Sequence, residues 1–179
     1  MMSARGFTLF ELLTTLFILA LLLSLGVPSF SKQIQHSRVK TVTHNLLHSV
    51  HHTRTLAVSR NQRATLAHKG SWQDGWEVFI DHNNNGTRDE DETLVFEGES
   101  VKDVKIYSNG PMTKYISFIG TGESTRVGRA DGGSFQAGTM RICSQGTEKG
   151  VELILSRGGR MRVKSLNASR CVDFSRLSD

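Results

Sequence analysis

Apolar residues gather at the front of the chain. Residues 7–27 carry one charge, Glu11, and a run of that length is about what a helix needs to cross a hydrocarbon core of ~30 Å. Beyond Pro28 the pattern turns amphipathic. Val39, Val42, Leu46, Val50, Thr53 and Ala57 recur at intervals of three and four, the apolar stripe of a helix expected from 31 to about 63. Lys32, Arg38, Lys40, Arg54, Arg60 and Arg63 fall on its other faces. From Ala64 the period shortens. Segments 76–80, 93–96, 104–107, 115–118, 140–143, 151–155 and 160–163 predict short strands separated by Gly, Asn and Ser. Residues 120–138 hold six glycines and predict a long mobile loop. One helix followed by strands predicts an α+β fold, the helix laid against antiparallel sheet.

A secretory signal peptide also opens on an apolar run, but its core is about 7–15 residues and ends at a small-residue cleavage site. Here the run is longer and continues through Pro28 without an A-x-A site, which favours its retention. Arg5, just before it, favours a cytoplasmic amino terminus. Glu11 is the anomaly: a carboxylate in the bilayer costs up to about 2.5–3.5 kcal/mol, most at a helix centre. The ammonium of a neighbouring subunit cut after Gly6 would offset that cost. So would protonation, or snorkelling near the helix end.

The chain has 179 residues, 37 % of them hydrophobic, and a net charge of +5. This suits one domain with an appended segment rather than a multidomain enzyme. Its two cysteines exclude a four-cysteine zinc site. Cys143 and Cys171 lie on the exported side if the amino terminus is cytoplasmic. An even count there favours a disulfide tethering the C-terminal tail to the sheet; two inert buried thiols are the alternative. There is no G-x-S-x-G, P-loop or Rossmann fingerprint, so the chain reads as a non-enzyme and no cofactor is implied.

Residues 81–92 fit the calcium-loop pattern D-x-[DN]-x-[DN]-G-x5-E, with Asp81, Asn83, Asn85, Asp89 and Glu92 as side-chain oxygen ligands. The flanking segments read as strands rather than the helices of an EF-hand, and Asn-Gly between strands is a strong hairpin signal. An acidic hairpin turn is therefore favoured over a calcium site. His44, His48, His51 and His52 cluster on the helix, with two pairs at the i,i+4 spacing zinc could use. No carboxylate lies nearby in sequence to orient them, so a solvated or interfacial face is favoured.

Charge is segregated along the head. Residues 72–99 hold nine acidic groups and one basic, a net of −8; residues 140–179 hold eight basic and four acidic, a net of +4. Arg157, Arg160, Arg162 and Lys164 crowd the latter segment. On a strand, Arg160, Arg162 and Lys164 share one face at ~7 Å intervals, close to the ~6–7 Å between phosphates along one DNA strand. Arg can fork onto phosphate oxygens, and such binding would be sequence-tolerant and salt-dependent. A solvated face or one docked on anionic lipid would carry the same charges. Only Met161 and Val163 interleave, and neither is an aromatic stacking partner.

Gly6-Phe7-Thr8-Leu9-Phe10-Glu11 resembles the type IV prepilin signature. The resemblance implies cleavage after Gly6 by a prepilin peptidase, N-methylation of Phe7, and pairing of Glu11 with a neighbour's amino terminus in a filament. Pro28 falls where pilins kink the helix. The head is similar to the GspH/FimT family of minor pilins and pseudopilins through residues 54–62, Trp72, Gly75-Trp76, Asp81-x-Asn83-x-Asn85-Gly86, residues 141–143, Gly159-Arg160 and Cys171. Gly159-Arg160-Met161-Arg162 resembles the Gly-Arg-x-Arg motif of FimT-type pilins that bind DNA in natural transformation. That likeness makes Arg160 and Arg162 the prime contacts. Lys164 and Arg157 come from charge placement, and Lys102, Lys105, Lys114, Arg126 and Arg129 are auxiliaries.

The division expected is a leader at 1–6, a transmembrane and filament-core helix at 7–30, and a periplasmic head at 31–179. The location expected is a single pass through the inner membrane, then the pilus on the cell surface. The partners expected are DNA through its phosphates, other major and minor pilins, prepilin peptidase, and the inner membrane before assembly. The alternatives are a minor pilin that primes assembly at the tip without touching DNA, and a type II secretion pseudopilin.

Overall fold

The computed structural model describes residue 6 and residues 8–128, 134–144, 149–167 and 171, with side chains except at 25–29, 32 and 149. Phe7, Arg129 and residues 1–5 of the expected leader lie outside the described residues. The described chain is one long helix, α1 (Leu9–Arg60), followed by two four-stranded antiparallel sheets.

α1 begins on Thr8, whose hydroxyl accepts the Glu11 amide at 3.2 Å; Thr-x-x-Glu is a capping-box pattern. The helix runs on through position 28 and ends at Asn61, in the left-handed conformation (φ 48°), its N–H donating to the Ala57 and Val58 carbonyls. Its stem is apolar on every side: Leu9, Phe10, Leu13, Phe17 and Leu22 are each more than half exposed. Among the described residues no helix is long and apolar enough to cross a membrane. In the second half the stripe does what its spacing predicts. Val39, Val42, Leu46, Val50, Thr53 and Ala57 are all buried.

The first sheet has the order β3-β2-β1-β5, with β1 (Ala64–His68), β2 (Trp76–Ile80), β3 (Leu94–Gly98) and β5 (Tyr115–Phe118). The second has the order β4-β6-β7-β8, with β4 (Val104–Ser108), β6 (Gly138–Ser144), β7 (Lys149–Leu155) and β8 (Met161–Asn167). The helix stripe packs on both. Leu66, Val78, Ile116 and Phe118 come from the first sheet, and Met140, Ile142, Leu153 and Leu155 from the second, to close one core with it. The Trp76 indole donates to Ser49 Oγ at 2.8 Å, tying sheet to helix inside that core.

The stretch 120–138 differs from the mobile loop expected. In its described parts it folds back on β5, with Thr125 N–H on the Ser117 carbonyl (3.1 Å) and Gln136 N–H on the Ser124 carbonyl (2.8 Å). Ser124 and Gln136 are fully buried, and Gln136 bonds β5 through both ends of its amide, at 2.9 and 2.8 Å. The buried amide, rather than apolar burial, anchors the glycine-rich segment. Arg63 works alongside it, donating to Ser117 Oγ and Thr125 Oγ1 at 2.7 and 3.0 Å. Burial lowers its pKa while Asp81 pulls the other way.

Candidate nucleic-acid interface

The cationic segment forms the β7–β8 hairpin and the free edge of the second sheet. Leu155 pairs with Met161, and residues 156–160 make the turn. Ser156 N–H donates to the Arg160 carbonyl (3.0 Å), and Gly159 N–H to the Ser156 carbonyl (2.9 Å). Gly159 is buried with φ +75°. A side chain there would overlap the Gly122 carbonyl and press on Phe118 and Arg54, so only glycine fits.

Arg54 explains the close approach. Its guanidinium leaves α1 to donate Nε to the Gly122 carbonyl (2.8 Å) and Nη2 to the Gly158 carbonyl (3.2 Å). One side chain thus ties the helix, the 119–123 turn and the hairpin tip together. The Ser124 hydroxyl lies between the Gln136 and Ser156 carbonyls, 2.7 and 3.0 Å away, and shares its one proton between them. The turn is held by its backbone, which leaves the Arg157 and Arg160 side chains exposed.

Arg162 and Lys164 are exposed on one face of β8. Arg160 precedes the strand, so the face of three cations expected from spacing is two on the strand and one at its mouth. The neighbouring cation on that face, Arg141, is bound to the buried Glu152 at 2.9 Å. Glu152 stands across from Lys164 in register but is engaged by Arg141. Arg160, Arg162 and Lys164 form no ion pair with any described residue.

Of the auxiliaries, Lys105 lies on β4, at the opposite edge of the sheet from β8, while Lys102 and Lys114 precede β4 and β5. The structure does not gather these three with the hairpin cations. Arg126 lies nearer: its N–H bonds the Ser134 carbonyl (2.9 Å), in the segment that carries Phe135.

Phe135 is a residue the sequence reading missed. Its ring is 50 % exposed, and the Arg157 guanidinium lies over it, 5.1 Å from the centroid. Twenty-two positions of chain separate the pair, and nothing in the local pattern joins them.

The other candidates lie elsewhere. Gly6 is exposed, and Glu11 sits in the first turn of α1. Cys143 and Cys171 form a disulfide with Cα atoms 6.1 Å apart, seated over Gly150, where a side chain would collide with the Cys171 sulfur and the Ile142 carbonyl. The loop 81–92 closes on its own carboxylates. Asp81 accepts the amides of Asn85 and Gly86 (3.0 Å each) and the Thr65 hydroxyl (2.9 Å). Glu92 accepts the amides of His82 and Asp89 (2.8 and 3.2 Å), and Asp89 accepts the side-chain amides of Asn83 and Asn85 (2.6 and 2.8 Å). Strands β2 and β3 flank the loop. On α1, the His48 and His52 rings stack at 6.2 Å, and His52 meets Phe96 edge-on. Among the described residues no three His, Cys, Asp or Glu side chains converge on a metal position.

A family model described as type II transport protein GspH matches residues 42–159, and one described as a prokaryotic N-terminal methylation motif matches residues 1–27. The former stops at Gly159, just short of Arg160. Two crystal forms of the type IV minor pilin FimU from Pseudomonas aeruginosa (strain PAO1) share the fold at 14 % identity. One has a TM-score of 0.53 and covers 72 % of this chain and 90 % of its own; the other has 0.50, with 70 % and 91 %. No curated protein matches the chain.

Proposed function

We propose that the chain, which belongs to the GspH family and carries the N-terminal methylation motif, is a minor pilin that captures DNA on the β7–β8 hairpin during natural transformation. The chain is a pilin-type structural subunit, a minor type IV pilin or GspH-like pseudopilin, whose family associates with other pilins and with prepilin peptidase. In this reading Gly6 and Phe7 are the processing site and Glu11 the assembly contact. Residues 7–30 anchor the subunit as a single pass in the inner membrane, with the head in the periplasm, until it enters the filament. The exposed apolar stem supports this division, since such a surface needs lipid or neighbouring stems around it.

The observation that carries the DNA reading is the group Arg157, Arg160, Arg162 and Lys164. Their side chains are exposed, the last three form no ion pair with any described residue, and they stand on a turn braced by Arg54 and a glycine that admits no side chain. A braced backbone under free guanidinium groups suits phosphate contact, which needs charge held in place and no base-edge code. The test is duplex DNA binding by the full-length protein in detergent. Arg160→Gln with Arg162→Gln should weaken binding about tenfold or more at low salt, while cells carrying the variant still assemble pili. Undiminished affinity overturns the assignment.

A second reading has its own support. The description of the matching family is a type II transport protein, which favours a secretion pseudopilin. Deleting the protein would then abolish protein export and leave DNA uptake intact.

A further inference from the structure

We propose that Phe135, braced by Arg157, is a base-stacking platform that makes the hairpin prefer unpaired nucleotides to duplex. The proposal rests on the nucleic-acid reading above and deepens it.

Phe135 stands outside the hydrophobic core. Its ring is half exposed, while the next residue, Gln136, is fully buried and anchors the segment. The backbone is fixed on both sides of the ring, by the Thr125–Phe135 bridge and by Gln136 N–H on the Ser124 carbonyl. The segment is also joined to the hairpin. Ser124 Oγ shares its one proton between the Gln136 carbonyl (2.7 Å) and the Ser156 carbonyl (3.0 Å). The ring therefore keeps a set position beside the cationic turn.

The Arg157 guanidinium lies over one face of the ring, and the residue as a whole is half exposed. A cation over an aromatic face is favourable in itself. Every base has a π-face, so such a platform is tolerant of sequence. In duplex DNA those faces are already stacked on one another, and an isolated ring can reach them only at ends or frayed steps. An unpaired strand offers them directly, with its phosphates within reach of nearby cations. The arrangement joins the two elements of single-strand recognition, a cationic track and a stacking residue.

The experiment measures fluorescence anisotropy of labelled oligonucleotides, one unpaired and one duplex of equal length, with the full-length protein in detergent at two salt concentrations. Phe135→Ala should weaken unpaired-strand binding about tenfold and duplex binding by no more than about twofold, with the salt slope unchanged. Phe135→Trp should restore the preference, and Phe135→Leu, similar in bulk but without a π-face, should not. Equal loss on both oligonucleotides, no loss on either, or full rescue by Leu would overturn the platform. Failure of the underlying reading looks different: Arg160→Gln with Arg162→Gln would then leave both affinities intact.

Discussion

Gly159 shows how one residue type sets the geometry of the hairpin. Its positive φ would strain any other residue, and its Cα faces a backbone carbonyl that cannot swing aside. Gly159→Ala should therefore cost about 1–3 kcal/mol and lower the melting temperature by several degrees, as read by thermal unfolding of the full-length protein. A variant that melts with the wild type would show that the close approach to Gly122 tolerates a side chain. Asp81 is a second case. It is buried and accepts three hydrogen bonds, so Asp81→Ala would strand two amides and a hydroxyl. The expected loss is roughly 2–4 kcal/mol, given the cost of buried donors left unsatisfied; a loss below 1 kcal/mol in a urea titration would contradict the role assigned here.

Among the elements, the helix stripe was legible position by position, because burial on one side of a helix imposes a 3.6-residue period. β1 carries no such signal, although it lies inside the first sheet between β2 and β5. Its first four residues are all buried. On one side Ala64 and Leu66 join the core, and on the other Thr65 bonds Asp81. A strand covered on both faces shows no alternation, and Ala and His add little β-propensity. The disulfide was legible from the even cysteine count. It joins the tail to β6 at a sequence separation of 28, and replacing both Cys143 and Cys171 with Ser should cost about 2–4 kcal/mol. A urea midpoint unmoved by the double substitution would argue against that contribution.

At the scale of the whole molecule, the chain divides into an apolar stem and a head that buries its own core. The apolar front of the chain was legible from hydropathy alone. The cations of the candidate site were legible too, because 157, 160, 162 and 164 are close in sequence. What supports them was not. Arg54 reaches Gly122 and Gly158 across 68 and 104 positions of chain, and Phe135 meets Arg157 through an anchored segment that reads as a flexible loop. Contacts of that range follow from topology rather than local pattern. The methylation motif makes its own prediction: mass spectrometry of protein purified from its host should give a mass lacking residues 1–6 and carrying one added methyl group at Phe7. An intact leader would remove the filament from the account. The most direct test of the account is the salt dependence of duplex DNA binding by the full-length protein. The wild type should lose affinity steeply as salt rises, and Arg160→Gln with Arg162→Gln should flatten the slope of log K against log salt by about two. Identical slopes and affinities for the two proteins would contradict the claim that these arginines hold phosphate.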